Sequence, residues 1–309
     1  VPIPTLSFYE FLRIRGEQHP PISEQLRPND LFTASLGELS ELGLHFRPLM
    51  PLFMRYLLVG GFPETARQSD VGLCQRLLRE DVVERVLKRD MTALFGIRNV
   101  NDLEKLFIYI CLNSGGILSV QTCASALGVS ATTVGNHLNA LEQSHLIYRL
   151  PPTGAGGKKL LKARDKVYLV DAALRNAVLL RGEETLKDAQ EMGAIAETTV
   201  LRHLYAYYYH DTPEIAYWRD AATGKEVDII VRSPAYTMPV EVKFRADADL
   251  AQTDGLAAYC SQENIGRAYF VTQSEDDFGV LKFPGLETSF LKIPAHIFCY
   301  LLGQAERLL

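Results

Sequence analysis

Residues 225–243, KEVDIIVRSPAYTMPVEVK, constrain the fold of this chain more than any other stretch. They read as two strands joined by a turn. Val227, Ile229 and Val231 alternate with Asp228, Ile230 and Arg232; Ser233-Pro234 breaks the run, and Pro239 opens the next one. In the second run Glu241 and Lys243 share one face, with Val240, Val242 and Phe244 on the other. Asp228 lies on the preceding, neighbouring strand, so two carboxylates and an ammonium converge near one point of a sheet. Hard carboxylate oxygens suit Mg2+, which is usually held by one or two carboxylates and substrate phosphate. A lysine beside them steadies an attacking water or offsets phosphoryl charge. The plain alternative is a surface Glu-x-Lys pair on a solvated strand.

Residues 193–210 form a helix in which Val200, Leu201, Leu204 and Tyr208 fall on the face of Glu197. A glutamate on an inward face needs a partner. In chain order come Glu197, Tyr217-Trp218-Arg219, Asp228 and then Glu241-x-Lys243. This order resembles the restriction-endonuclease-like superfamily, whose core carries a helix-borne glutamate, a strand-borne aspartate and Glu-x-Lys on the next strand. The resemblance implies that Glu197, Asp228, Glu241 and Lys243 are catalytic. It implies one Mg2+ shared by Asp228 and Glu241, with Glu197 acting through a water or on Lys243. Clustered acids repel, so at least one is expected to have a raised pKa without metal.

Composition sets the remaining bounds. The chain has 309 residues, 47% hydrophobic and 22% charged, with a formal charge of −5. That describes an ordinary globular protein of two or three domains and argues against wholesale coating of nucleic acid. Its five cysteines are scattered, with no Cys-x-x-Cys pair, as expected for buried free thiols in a reducing cytoplasm. No apolar run approaches a membrane span, so no membrane partner is expected.

The N-terminal region is helical. Ser7 caps a helix whose Phe8, Phe11 and Leu12 share a face, and residues 52–58 form another. Gly60-Gly61-Phe62-Pro63-Glu64 reads as a tight connection, although the glycines would also admit a close backbone contact. Residues 74–95 form a long amphipathic helix with a stripe of Leu77, Leu78, Val82, Val86 and Leu87. From residue 101 to 150 the pattern changes to helix, Gly-containing turn, helix, tight break, helix and strand. This is a winged-helix pattern with a core of Leu106, Ile110, Leu127, Val134, Leu138 and Leu141 and a wing loop at 151–159.

The recognition helix, residues 131–143, has no Lys or Arg. Its polar candidates for DNA contact are Thr132, Thr133, Asn136 and His137, and phosphate attraction would come from Lys158, Lys159, Lys162, Arg164 and Lys166 of the wing. A winged helix used only for packing fits the same residues, with His137 and His145 structural or solvated. Asp171 caps the helix that follows the strand at 167–170. After Lys243, a crossover helix at 248–260 and strands at 266–272 and 288–293 complete an α/β core with a mixed sheet.

The full order resembles a family of bacterial and archaeal AAA-type ATPases that join a P-loop domain, a lid, a winged helix and an uncharacterised restriction-endonuclease-like C-terminal domain. The matching pieces are residues 6–12, 60–64, 79–90, the winged helix with Leu150-Pro151-Pro152, residues 166–171, and Glu226-Val227-Asp228 with Glu241-Val242-Lys243. The implied organisation is multidomain, α/β and all-α: a helical lid-like region at 1–98, a winged helix at 99–170 and a restriction-endonuclease-like domain at 171–309. One departure is severe: nothing matches G-x-x-x-x-G-K-[ST]. The P-loop core would lie upstream of Val1, so ATP is expected to enter only through that segment, and residues 1–309 are not expected to bind it tightly. The expected function is a Mg-dependent nuclease module acting on DNA or RNA beside an upstream ATPase domain or partner protein. The alternative is a degenerate nuclease fold that binds DNA or protein without catalysis.

Overall fold

The computed structural model describes residues 4–97, 99–154 and 163–307. It shows an N-terminal helical region, a helix-rich unit with a small sheet, and a C-terminal domain built on a larger mixed sheet. α1 (Phe8–Arg15) starts where expected, because Ser7 and Glu10 form a reciprocal capping box, and it ends at Gly16 in the left-handed conformation. α2 (Leu36–Phe46), α3 (Met50–Val59) and the short α4 (Pro63–Ala66) follow.

α5 (Val71–Leu77) runs through π-helical turns at Leu78–Glu84 and Val86–Asp90 into α6 (Met91–Phe95). The wider turns change the stripe read from the sequence. Leu78, Val83, Leu87 and Met91 are buried, whereas Leu77, Val82 and Val86 are only partly covered. The five-residue step from Leu78 to Val83 is what a π-turn produces on one face.

α7 (Val100–Leu112), α8 (Val120–Leu127) and α9 (Ala131–Gln143) surround a shared core. In it Leu106, Ile110, Val134, Leu138 and Leu141 are buried and Leu127 packs against them. A three-stranded antiparallel sheet closes this unit: β1 (Gly116–Ile117), β2 (Ile147–Leu150) and β3 (Lys166–Leu169), in the order β1-β3-β2. α10 (Ala173–Leu179) follows, its first turn capped by the Asp171 carboxylate, which accepts from Ala173 N–H at 2.9 Å.

α11 (Ala189–Tyr207) leads into the large sheet of β4 (Glu214–Arg219), β5 (Glu226–Arg232), β6 (Thr237–Lys243), β7 (Arg267–Thr272), β8 (Gly279–Lys282) and β9 (Ser289–Pro294). Their order is β4-β5-β6-β7-β9-β8. β6, β7 and β9 are parallel; the other pairings are antiparallel. The crossover between β6 and β7 is α12 (Gly255–Gln262), shorter than periodicity predicts. Ahead of it, the carboxylates of Asp249 and Asp254 bind the backbone N–H groups of Leu250 and Ala251, local bonds that compete with helix. α13 (Ala295–Glu306) ends the domain.

One face of the large sheet packs on α12, with Val227, Ile230, Leu256, Tyr259, Phe270 and Phe290 between them. The other face, through Ile229, Val240, Leu291 and Ile293, belongs to the same apolar core as α1, α3, α11 and α13. The N-terminal helices therefore share a core with the C-terminal domain, an association that helical periodicity does not reveal. His203 of α11 fixes part of it: its Nε2 accepts the Phe8 N–H at 2.9 Å and its Nδ1 lies 2.8 Å from the Thr199 carbonyl. All five cysteines are free and buried. Among the described residues no helix is long and apolar enough to cross a membrane.

Gly60-Gly61 makes the close backbone contact. Gly61 N–H donates to Asp171 Oδ2 at 2.9 Å, and the Gly61 carbonyl accepts Leu6 N–H at 2.5 Å. A Cβ on Gly61 would stand 2.2 Å from the Leu6 carbonyl oxygen, whereas one on Gly193 of α11 would meet nothing within 4 Å. Gly61→Ala should therefore lower stability by about 1–3 kcal/mol, while Gly193→Ala should be neutral or stabilising by up to about 1 kcal/mol. Urea unfolding of the two variants checks both signs; a Gly61→Ala variant as stable as the parent would refute the close packing.

Candidate functional site

β5 ends its ladder with β6 at the Ile229–Val240 pair. Beyond that pair, Val242 N–H donates instead to Asp228 Oδ2 at 3.0 Å. The Asp228 side chain thus closes the gap between the strands, beside Glu241. Both acids are 7% exposed. Lys243, two residues further along β6, reaches back to form an ion pair with Glu241 Oε1. Glu241 Oε2 is buried with no hydrogen-bond partner. These groups form the floor of a cleft of about 360 Å³, whose lining also includes Glu226, Arg245 and Asp254.

Glu197 arrives from α11, as its position on the inward face predicts. Its partners, however, come from β3. Tyr168 OH donates to Glu197 Oε1 at 2.6 Å, and Lys166 Nζ lies 3.5 Å from the same oxygen. That ammonium is also 2.5 Å from Glu226 Oε1 and 3.2 Å from Asp228 Oδ1. Gly115, with φ +84°, permits the approach, since a Cβ there would stand 3.3 Å from Glu197 Oε1.

The sequence reading of Lys166 as outward wing charge is corrected here: the residue is 3% exposed and points into the carboxylates. Alternation is the reason. Val167 and Leu169 enter the helical core, so Lys166 and Tyr168 take the opposite face, towards α11 and β5. The Lys-x-Tyr spacing carried that signal. Only the tertiary fold shows what faces it. Glu226 was missed for the same reason.

Burial dominates the acid–base properties of the cluster. It raises the Glu241 carboxyl to about 8, with the Asp228 charge adding and Lys243 opposing. It likewise raises Glu197 to about 7, again with Asp228 adding and Lys166 opposing. The repulsion read from the sequence is thus present but second to desolvation. Burial alone would lower Lys166, but Glu197, Tyr168, Asp228 and Glu226 together hold it well above the usual lysine value.

The two halves of the cluster differ as cation sites. Asp228 and Glu241 present hard oxygens, one of them unpartnered, and these fit a divalent ion. The Glu197–Glu226–Asp228 half already surrounds an ammonium. Among the described residues no group of three or more His, Cys, Asp or Glu side chains is placed to hold a metal ion together.

The residues named for nucleic-acid contact are dispersed. Thr132 and Asn136 are exposed on α9. The Thr133 hydroxyl is 2.9 Å from that of Ser130 in the helix cap. His137 is 5% exposed, turned into the unit with both ring nitrogens unpartnered, and burial lowers its pKa. Lys158, Lys159 and Lys162 lie outside the described residues.

Two family models match the chain: a domain of unknown function, DUF8612, over residues 50–185, and another, DUF4143, over residues 192–290. Lys166 and Tyr168 fall within the first; Glu197, Asp228, Glu241 and Lys243 fall within the second. An uncharacterized protein of Haemophilus influenzae is 23% identical over 66% of this chain and 49% of its own length. One from Methanocaldococcus jannaschii is 21% identical over 50% of this chain and 32% of its own. One from Mycobacterium tuberculosis is 25% identical over 64% of this chain and 44% of its own. The chain thus spans about a third to a half of the length of these relatives. No solved structure matches.

The raised Glu241 pKa has a measurable sign. An acid with a folded pKa of about 8, against about 4.5 in the unfolded chain, holds its proton more tightly when folded. Its contribution is fully present below the unfolded pKa and is lost as pH rises through about 8. Glu241→Gln removes this dependence. In EDTA its stability relative to the parent should rise between pH 5 and pH 8, by at most about 1.4 kcal/mol per pH unit. Parallel stability curves for the two proteins would contradict the raised value.

Proposed function

We propose that the C-terminal domain is a restriction-endonuclease-like, divalent-metal-dependent phosphodiesterase acting on nucleic acid, joined to a winged-helix unit. One observation carries the reading: Asp228 and Glu241 meet at the floor of an open cleft, one carboxylate oxygen of Glu241 is buried without a partner, and Lys243 stands on the same face. Asp228 and Glu241 would hold the ion, which when bound supplies Lewis acidity and an activated water. The protein's own part is positioning. The Val242 N–H anchors Asp228, the β6 pleat keeps Lys243 beside Glu241, and Lys243 faces the cleft where phosphoryl charge would lie. Glu197 acts from behind Asp228, through the ammonium that touches both. Among the described candidates, Thr132 and Asn136, four residues apart on the exposed face of α9, are available to a nucleic acid. The motif order, by its resemblance to AAA-type ATPases, is what supports an ATPase segment as the companion of this chain.

A non-catalytic binding module is the second reading, and a specific observation favours it: Lys166 already neutralises part of the carboxylate charge. Cleavage separates the two. With Mg2+ or Mn2+, the protein should cut DNA or RNA, and Asp228→Asn and Lys243→Met should each slow cutting by about 10²-fold or more. Full-rate cutting by both variants would place the chemistry elsewhere. Absence of cutting on linear, circular and single-stranded substrates would leave the binding module.

A further inference from the structure

Lys166 is held in place by backbone rather than by its own flexible stem. β3 is the central strand of its sheet, and Lys166 is in register with both Ile117 of β1 and Leu150 of β2. The chain that follows β2 and the residue two before Lys166 are bonded to β4 of the other sheet. Thr153 N–H donates to the Tyr217 carbonyl at 2.7 Å, Tyr217 N–H donates to the Pro151 carbonyl at 3.0 Å, and Tyr217 OH donates to the Arg164 carbonyl at 2.7 Å. The ammonium also lies 5.9 and 5.8 Å from the ring centres of Tyr168 and Tyr217. It is therefore surrounded by carboxylates and aromatic rings, an arrangement that accepts a single positive charge.

We propose that Lys166 is a built-in counter-ion that occupies one of two cation positions in the cluster, so that a divalent ion is confined to the Asp228–Glu241 side. The inference rests on the metal-binding reading above and adds that the site is composite. Its permanent cation comes from the helix-rich unit and its carboxylates from α11, β5 and β6. The adjoining unit would thereby set how many ions the cleft takes up and how tightly. An ammonium against Asp228 opposes a divalent ion on the same carboxylate, and removing it leaves Glu197 and Asp228 without their shared cation, while Glu226 keeps only Arg219, 3.5 Å away.

Mn2+ binding tests this, measured by calorimetry and by the free-ion signal in electron paramagnetic resonance, on the 309-residue chain and on Lys166→Met and Lys166→Arg. Lys166→Met should take up a second ion, or bind Mn2+ at least about tenfold more tightly, which is about 1.4 kcal/mol, and Mn2+ should raise its melting temperature more than the parent's. Lys166→Arg should behave as the parent does. Should Lys166→Met fail to fold, Lys166→Met combined with Glu226→Gln removes one charge of each sign and is measured in its place. Equal Mn2+ uptake by parent and Lys166→Met overturns the counter-ion role while leaving the metal reading intact. No uptake by either overturns both. Uptake by Lys166→Met alone upholds the counter-ion role and removes the metal-dependent reading for the native protein, because lysine would then have taken the metal's place.

Discussion

The contact between the Lys166 ammonium and the carboxylates of Glu197, Glu226 and Asp228 is the interaction on which the arrangement of the molecule depends. A buried ammonium is costly unless it is paired, and buried carboxylates are costly for the same reason. Each side therefore needs the other to be brought close. The strand that delivers the lysine has no freedom to compromise. Moving β3 by one residue would send Lys166 into the apolar core now filled by Val167 and Leu169, and would turn those residues towards the acids. Register in the small sheet and charge balance in the large one are thus a single constraint.

The same economy appears on the opposite side of α11. Asp171 follows β3 and caps α10 with one carboxylate oxygen, while the other accepts the Gly61 N–H. The connection between α3 and α4 is thereby tied to the end of the small sheet, and Leu6 joins the same knot through the Gly61 carbonyl. The N-terminal helices are held to the small sheet by this polar link and to the C-terminal domain by the core they share with α13. Neither the helices nor the large sheet has a closed core alone.

Much of this was legible in the sequence wherever a local rule governs. Ser7 and Asp171 bind the N–H groups that their positions as caps predict, and α9 runs from Ala131 to Gln143 as its periodicity requires. The placement of Asp228, Glu241 and Lys243 followed from period-two alternation and one turn. The missing parts are those set by long-range packing. Lys166, Tyr168 and Glu226 look like ordinary alternating strand residues until the two sheets are brought together. The π-turns between α5 and α6 were invisible because the apolar residues there fit an α-helical stripe nearly as well. His137 shows the converse: a polar residue of α9, expected from the sequence as a candidate DNA contact, that the fold turns inward.

Whether the cluster serves stability or chemistry can be argued from its composition. A buried ion network is a poor way to stabilise a fold, since apolar residues of the same volume often do as well or better. A purely structural cluster would also satisfy its oxygens, yet Glu241 Oε2 has no partner and its carboxyl is held far above the usual range. Formally, four carboxylates, Glu197, Glu226, Asp228 and Glu241, face three cations, Lys166, Lys243 and the Arg219 guanidinium 3.5 Å from Glu226, which leaves one negative charge uncompensated. The unpartnered oxygen of Glu241 lies on the Asp228–Glu241 side, beside a cleft open to solvent. A buried acid oxygen without a partner beside an open cleft calls for a reason other than packing, and a bound cation would supply one.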